Sequence, residues 1–118
     1  MGKLAEKAVS NHKSFYSCSA SVLCAFCEKA GMTEAEAKKE AAPFAGGRMG
    51  KCGAVMSAEY VLNRIYGEKD AKQKISEFET RFIDKDKGSV MCKELRGKVP
   101  GSCRACVTDA ALILEEML

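Results

Sequence analysis

Tryptophan is missing from the 118-residue sequence, histidine occurs once, at His12, and proline twice. No apolar run approaches the roughly 18 continuous residues of a membrane-spanning helix, which argues against a membrane role. The opening MGKLAEKAVSNHK has no apolar core of the kind that marks a secretory signal. It begins Met-Gly, but Glu6 stands where myristoylation asks for serine or threonine. A dominant charge is missing too: 19 Lys and Arg against 16 Asp and Glu leave +3. So mild and scattered an excess lacks the clustered basic face that nucleic acid requires. These absences together make a cytoplasmic, soluble protein the expectation. Its length makes a single helical, cysteine-rich domain over 1–118 the expected organisation.

What the chain has in excess is cysteine. There are seven: Cys18, Cys24, Cys27, Cys52, Cys92, Cys103 and Cys106. Without an export signal, structural disulfides are not expected, because a reducing compartment keeps thiols free. An odd number also prevents complete pairing within one chain. Metal binding and redox chemistry remain, and with one histidine an all-protein metal site would be built mainly of thiolates.

The hydrophobic pattern has helical periods and no convincing alternation of period two. Helices are expected over 2–14, with Leu4, Ala8 and Val9 as a thin apolar stripe, and over 19–29, closed by Gly31. Thr33-Glu34-Ala35-Glu36 is a capping box that opens a helix to about Phe44, with Pro43 as a kink or early stop. A helix over 53–66 stops at Gly67, and another over 70–84 carries Ile75, Phe78, Phe82 and Ile83 on one face. A short helix over 89–97 and a last one over 103–117 complete the chain. The expected fold is all-α, a compact single-domain bundle of five to seven helices.

Four cysteines recur at one kind of place. Cys18, Cys52, Cys92 and Cys103 each lie in or beside the first turn of an expected helix. Unpaired backbone N–H groups and the positive end of the helix dipole gather there. Both favour thiolate over thiol, and a thiolate is the species that attacks disulfides and binds metals. Basic neighbours add to this: Arg48 and Lys51 near Cys52, Lys93 beside Cys92, Arg104 beside Cys103. Cys24, Cys27 and Cys106 fall on apolar helix faces and read as buried core thiols. The pairs Cys24–Cys27 and Cys103–Cys106 have C-x-x-C spacing, but no βαβ pattern precedes either. Gly-Gly-Arg-Met-Gly-Lys-Cys, at 46–52, is a glycine-rich turn feeding a helix, yet it lacks the P-loop pattern and a preceding strand. His12, between Asn11 and Lys13, reads as solvent-facing.

These landmarks resemble a family of cysteine proteins described as redox-active and named here for its pattern C-CGAxxG-C-C. Tyr16-Ser17-Cys18-Ser19-Ala20 corresponds to its first cysteine, Cys52-Gly53-Ala54 after the glycine turn to its second. Gly88-Ser89-Val90-Met91-Cys92-Lys93-Glu94-Leu95 corresponds to its third, and Cys103 ahead of the last helix to its fourth. Ser57 stands in place of the second glycine of CGAxxG. The resemblance implies redox chemistry at Cys18, Cys52, Cys92 and Cys103, and it assigns nothing to Cys24, Cys27 or Cys106.

Two functional hypotheses follow. In one, Cys52 is a low-pKa thiolate that attacks a partner protein's disulfide or a small oxidant, and a second of the four cysteines resolves the mixed disulfide. In the other, Cys18, Cys52, Cys92 and Cys103 converge as four ligands of an iron–sulfur cluster or of zinc. A helical scaffold with incidental cysteines accounts for the composition but not for four thiols at helix entries.

Overall fold

Five α-helices follow one another in the computed structural model, which describes residues 2–47, 51–84 and 102–118. They are α1 (Lys3–Lys13), α2 (Cys18–Ala25), α3 (Glu34–Ala41), α4 (Gly53–Phe82) and α5 (Ser102–Met117). A 3₁₀ turn, Ala42–Gly47, extends α3. Helix accounts for 83% of the described residues and no strand occurs among them, so the chain is all-α as its sequence periods require. The helix expected over 89–97 lies outside the described residues.

The centre of the fold is α2. Its sequence, Cys-Ser-Ala-Ser-Val-Leu-Cys-Ala, has no charged residue and therefore no face suited to water. It packs against α1, α3, the 3₁₀ turn, α4 and α5, and seven of its eight residues are buried. Its serines are the polar groups that such a position has to satisfy, and each hydroxyl finds a partner. Ser17 caps the helix by accepting from the Ala20 N–H at 3.1 Å. Ser19 donates to the Ala41 carbonyl at 2.8 Å, pinning the end of α3, and Ser21 donates to the Ser17 carbonyl at 2.7 Å. No buried side-chain nitrogen or oxygen among the described residues lacks a partner.

The helix ends follow local chemistry closely. Both arms of the Thr33–Glu36 capping box are formed, with Glu36 N–H to Thr33 Oγ1 at 3.2 Å and Thr33 N–H to Glu36 Oε1 at 3.0 Å. Regular α-helix ends at Ala41, two residues before Pro43, because proline has no N–H to continue the ladder. α2 is shorter than expected. It gives way at Phe26 to turn hydrogen bonds, such as Met32 N–H to the Cys27 carbonyl at 2.8 Å, closed by Gly31 at φ 71°. Cys27 thus lies in a buried turn beyond α2 rather than within the helix.

The helices expected over 53–66 and 70–84 run together as α4 but are broken at Gly67, with φ 80° and ψ 162°. A straight helix of that length would extend about 45 Å at 1.5 Å per residue. The molecule's longest extent is 34 Å. The break lets the second half present Phe78 and Phe82 to the common core, their rings stacked 6.2 Å apart. Ile83, expected on the same face, is instead 39% exposed, because the helix turns it away at its end.

Long-range contacts close the bundle. Glu115 of α5 accepts the backbone N–H groups of Gly2 and Leu4 at 3.0 and 2.9 Å, placing a carboxylate on the positive end of α1. His12, expected to face solvent, is half-buried at the other end of α1 and accepts from Arg104 Nε at 2.7 Å. Burial and the adjacent Arg104 charge lower its pKa, so the imidazole stays neutral.

Gly67 is the one point of α4 whose backbone conformation belongs to glycine, and nothing stands within 4 Å of a methyl group placed there. Gly67→Ala therefore isolates backbone strain from steric clash. It should cost about 1–3 kcal/mol in chemical denaturation. A variant as stable as the parent would mean that the break at Gly67 relaxes freely.

Candidate functional site

Two of the four cysteines that open expected helices lie where the entries of α2 and α4 approach each other. Ser17 caps α2, which makes Cys18 its first residue, and Cys52 is itself the N-cap of α4, with φ −53° and ψ 132°. Between them lies Gly53. A methyl group at that position would stand 2.6 Å from the Cys18 sulfur and 2.8 Å from the Phe44 carbonyl oxygen. Only a residue without a Cβ lets the Cys18 sulfur come this close to the backbone beside Cys52. The helix-entry placement read from sequence thus holds for both residues, and tertiary packing brings them together. Cys92 lies outside the described residues, as does the side chain of Cys103, whose backbone belongs to the first turn of α5.

The thiol near Cys52 is one that sequence reasoning assigned to the core. Cys106 of α5 and Cys52 are both buried, 2% and 5% exposed. The nearby Cys106 thiol and burial raise the Cys52 pKa far above its ordinary value, outweighing the downward pull of the Val55 and Ala54 N–H groups. Those N–H groups face the sulfur without making a full cap hydrogen bond to it. The low-pKa thiolate expected at Cys52 is therefore not its state here. A nearby second thiol and burial together override the helix terminus. The C-x-x-C spacing of Cys103 and Cys106 was the available signal. It gives no sign of Cys52, which lies 54 positions from Cys106.

Cys24 is likewise held as a thiol. Burial, the Glu34 charge and Cys27 raise its pKa to about 11, and its thiol points to the Glu34 carbonyl at 3.9 Å. Among the described residues no group of three or more histidine, cysteine, aspartate or glutamate side chains is arranged to hold a metal. The four-ligand set Cys18, Cys52, Cys92 and Cys103 includes two side chains outside that description.

A second cluster adjoins Cys52. The Lys51 ammonium lies 3.1 Å from Glu59 and 2.6 Å from Glu79, one carboxylate from each half of the broken helix. Desolvation, together with a hydrogen bond to Glu79, holds the Glu59 pKa up to about 8, while the bond from Glu59 lowers that of Glu79. Burial works against the Lys51 charge, but the hydrogen bonds to Glu79 and Glu59 outweigh it and raise its pKa. The resting arrangement is a protonated Glu59 between an ionised Glu79 and Lys51, which anchors the residue before Cys52 to α4. The sequence did contain a sign of this. Glu59 lies on the same stripe as the buried Val55, Ala58 and Leu62, where a carboxylate is out of place.

Ser57, in place of the glycine expected from the resemblance, is fully buried and donates to the Ser19 carbonyl at 2.8 Å. Its hydroxyl joins α4 to α2 at the same approach and does not merely crowd it.

Residues 16–117 match the model of the family described as "Putative redox-active protein (C_GCAxxG_C_C)", and the chain belongs to that family. No curated protein and no solved structure matches it. The pattern in the family's name runs Gly-Cys-Ala-x-x-Gly, not the Cys-Gly-Ala order given by the resemblance; here the stretch is Cys52-Gly53-Ala54-Val55-Met56-Ser57.

Two outcomes test this geometry. Gly53→Ala should displace the Cys18 sulfur and destabilise the protein by about 1–3 kcal/mol in denaturant melts, as overpacking does. A silent substitution would place Cys18 elsewhere. For Glu59, the folded-state value lies above the ordinary 4.5. Its contribution to stability is therefore full below pH 4.5 and is lost as the pH rises through about 8. Glu59→Gln, which mimics the protonated acid, should flatten stability across that window and gain on the parent toward its upper end. Parallel pH profiles of the two proteins would contradict the assignment.

Proposed function

We propose that this member of the C_GCAxxG_C_C family is a thiol–disulfide redox protein whose reacting sulfur is Cys52, with Cys18, Cys92 and Cys103 completing the site. One observation carries the reading. The entries of α2 and α4 converge across Gly53, so that Cys18 and Cys52, far apart in sequence, share one place in the fold. The family description, a redox-active protein, supports the same chemistry.

The step balances as follows. Cys52 loses its proton and attacks one sulfur of a partner's disulfide, forming a mixed disulfide and releasing a partner thiolate. A second cysteine of the chain then gives up its proton and attacks the Cys52 sulfur. A disulfide remains in this protein and the partner leaves with two thiols, so two electrons and two protons have passed to it. Run backwards, the cycle oxidises a partner dithiol. The Val55 and Ala54 N–H groups at the head of α4 favour the charge that appears on Cys52 when it ionises. Burial keeps the resting thiol neutral, so reaction follows an opening at this helix end. The partner is a protein disulfide or a small oxidant of the cytoplasm.

Thiol counting and elemental analysis of anaerobically purified protein test this together. Equilibration in buffers of reduced and oxidised glutathione should remove two thiols per chain reversibly. Cys52→Ser should abolish that loss while leaving the fold helical by circular dichroism. Iron with sulfide, or zinc, bound in stoichiometric amount to unreactive thiols would instead make the four cysteines ligands.

A further inference from the structure

We propose that Lys51 is a positioning residue for Cys52: its ammonium bridges Glu59 and Glu79, clasps the two halves of α4 together and so holds the head of that helix, with Cys52, in its closed arrangement. This rests on the redox reading above and names what restrains the opening that Cys52 needs before it reacts.

The bridge exists because α4 is broken. Glu59 lies eight positions before Gly67 and Glu79 twelve after it. In a straight helix those twenty residues would span about 30 Å. Both carboxylates instead meet one ammonium. Lys51 Nζ donates to the two Glu59 oxygens at 3.1 and 3.3 Å and to Glu79 Oε2 at 2.6 Å. The second half of α4 is therefore folded back to the head of the first, and Lys51 fastens it there. The Glu59, Glu79 and Lys51 side chains are 12%, 26% and 33% exposed. The other ion pairs among the described residues, Arg81 with Glu77 and with Glu116, are 3.7 Å long and join more exposed side chains. Partly buried pairs escape much of the solvent screening that leaves exposed ones contributing little.

Lys51 is also joined by a peptide bond to Cys52, the N-cap of α4, which is 5% exposed. For its sulfur to meet a partner, the head of α4 has to shift, and residue 51 shifts with it. That motion pulls the ammonium off carboxylates from both halves of the helix. Glu79, 27 positions beyond Cys52, thus acts on the thiol through Lys51. The plain alternative is an ion cluster that steadies the two helix halves and leaves Cys52 indifferent.

Site-resolved alkylation of the whole folded chain decides between them. Wild type, Lys51→Met, Glu79→Gln and the double variant are pulsed with iodoacetamide at one pH, quenched, unfolded, labelled with a heavy analogue and digested with trypsin. Cys52 is the sole cysteine of 52–64, or of 49–64 once the cut at Lys51 is lost. Cys24, in 14–29, is located by fragmentation and serves as the reference. Each single variant should raise the Cys52 rate roughly tenfold relative to Cys24, and the double variant no further than the faster single one. The directions separate the clasp from a through-space charge effect. Losing the Lys51 cation alone would disfavour the thiolate and slow Cys52, while losing the Glu79 anion would speed it. Opposite shifts in the two variants, equal acceleration of Cys52 and Cys24, or unchanged rates would each overturn the clasp. The redox reading fails separately, if equilibration with glutathione removes no thiols from the wild type.

Discussion

Everything at the candidate site depends on how closely α2 approaches α4. A helix without a charged residue has to be enclosed on all sides, and α2 is small enough along its length for neighbours to come close. Gly53 completes the approach by offering bare backbone to the Cys18 sulfur. Ser57 and Ser19 then lock it with hydrogen bonds that run from α4 to α2 and from α2 to the end of α3. The Cys18 sulfur reaches the backbone beside Cys52 because these small residues let the two helix entries come close.

Electrostatics at this place is decided by burial before helix geometry. A helix terminus contributes a modest stabilisation of negative charge, and it falls off within the first turn. A second thiol nearby and the removal of the sulfur from water act in the opposite direction and more strongly. The same balance appears at Glu59, where desolvation keeps a carboxyl protonated even with an ammonium beside it. The site is thus held neutral at rest on one side and zwitterionic on the other, with Lys51 joining the two.

Local features were legible where their physics is local. Thr33 and Glu36 announce a capping box and form one, Pro43 ends regular helix ahead of itself, and Gly67 breaks the long helix where its φ turns positive. The uncharged α2 segment announced its burial, though not that it would unwind at Phe26. The placement of Cys18 and Cys52 at helix entries was equally visible, because capping residues and glycine turns precede both. Glu59 was visible as a carboxylate on a buried stripe, but Glu79, twenty positions later and beyond the break, was not.

By itself, then, the sequence determined that this is an all-helical chain with thiols at helix starts, since hydrophobic period, caps and breakers act over a few residues. Only the tertiary structure decided which groups meet. Glu115 on the head of α1, Arg104 on His12 and Glu79 on Lys51 are partners far apart along the chain. Their pairing follows from the way helices stack around α2, and no local pattern encodes it. The chemical character of Cys52 belongs to this second class. Its position at a helix entry favours a thiolate, and the fold places it in a dry core near another thiol.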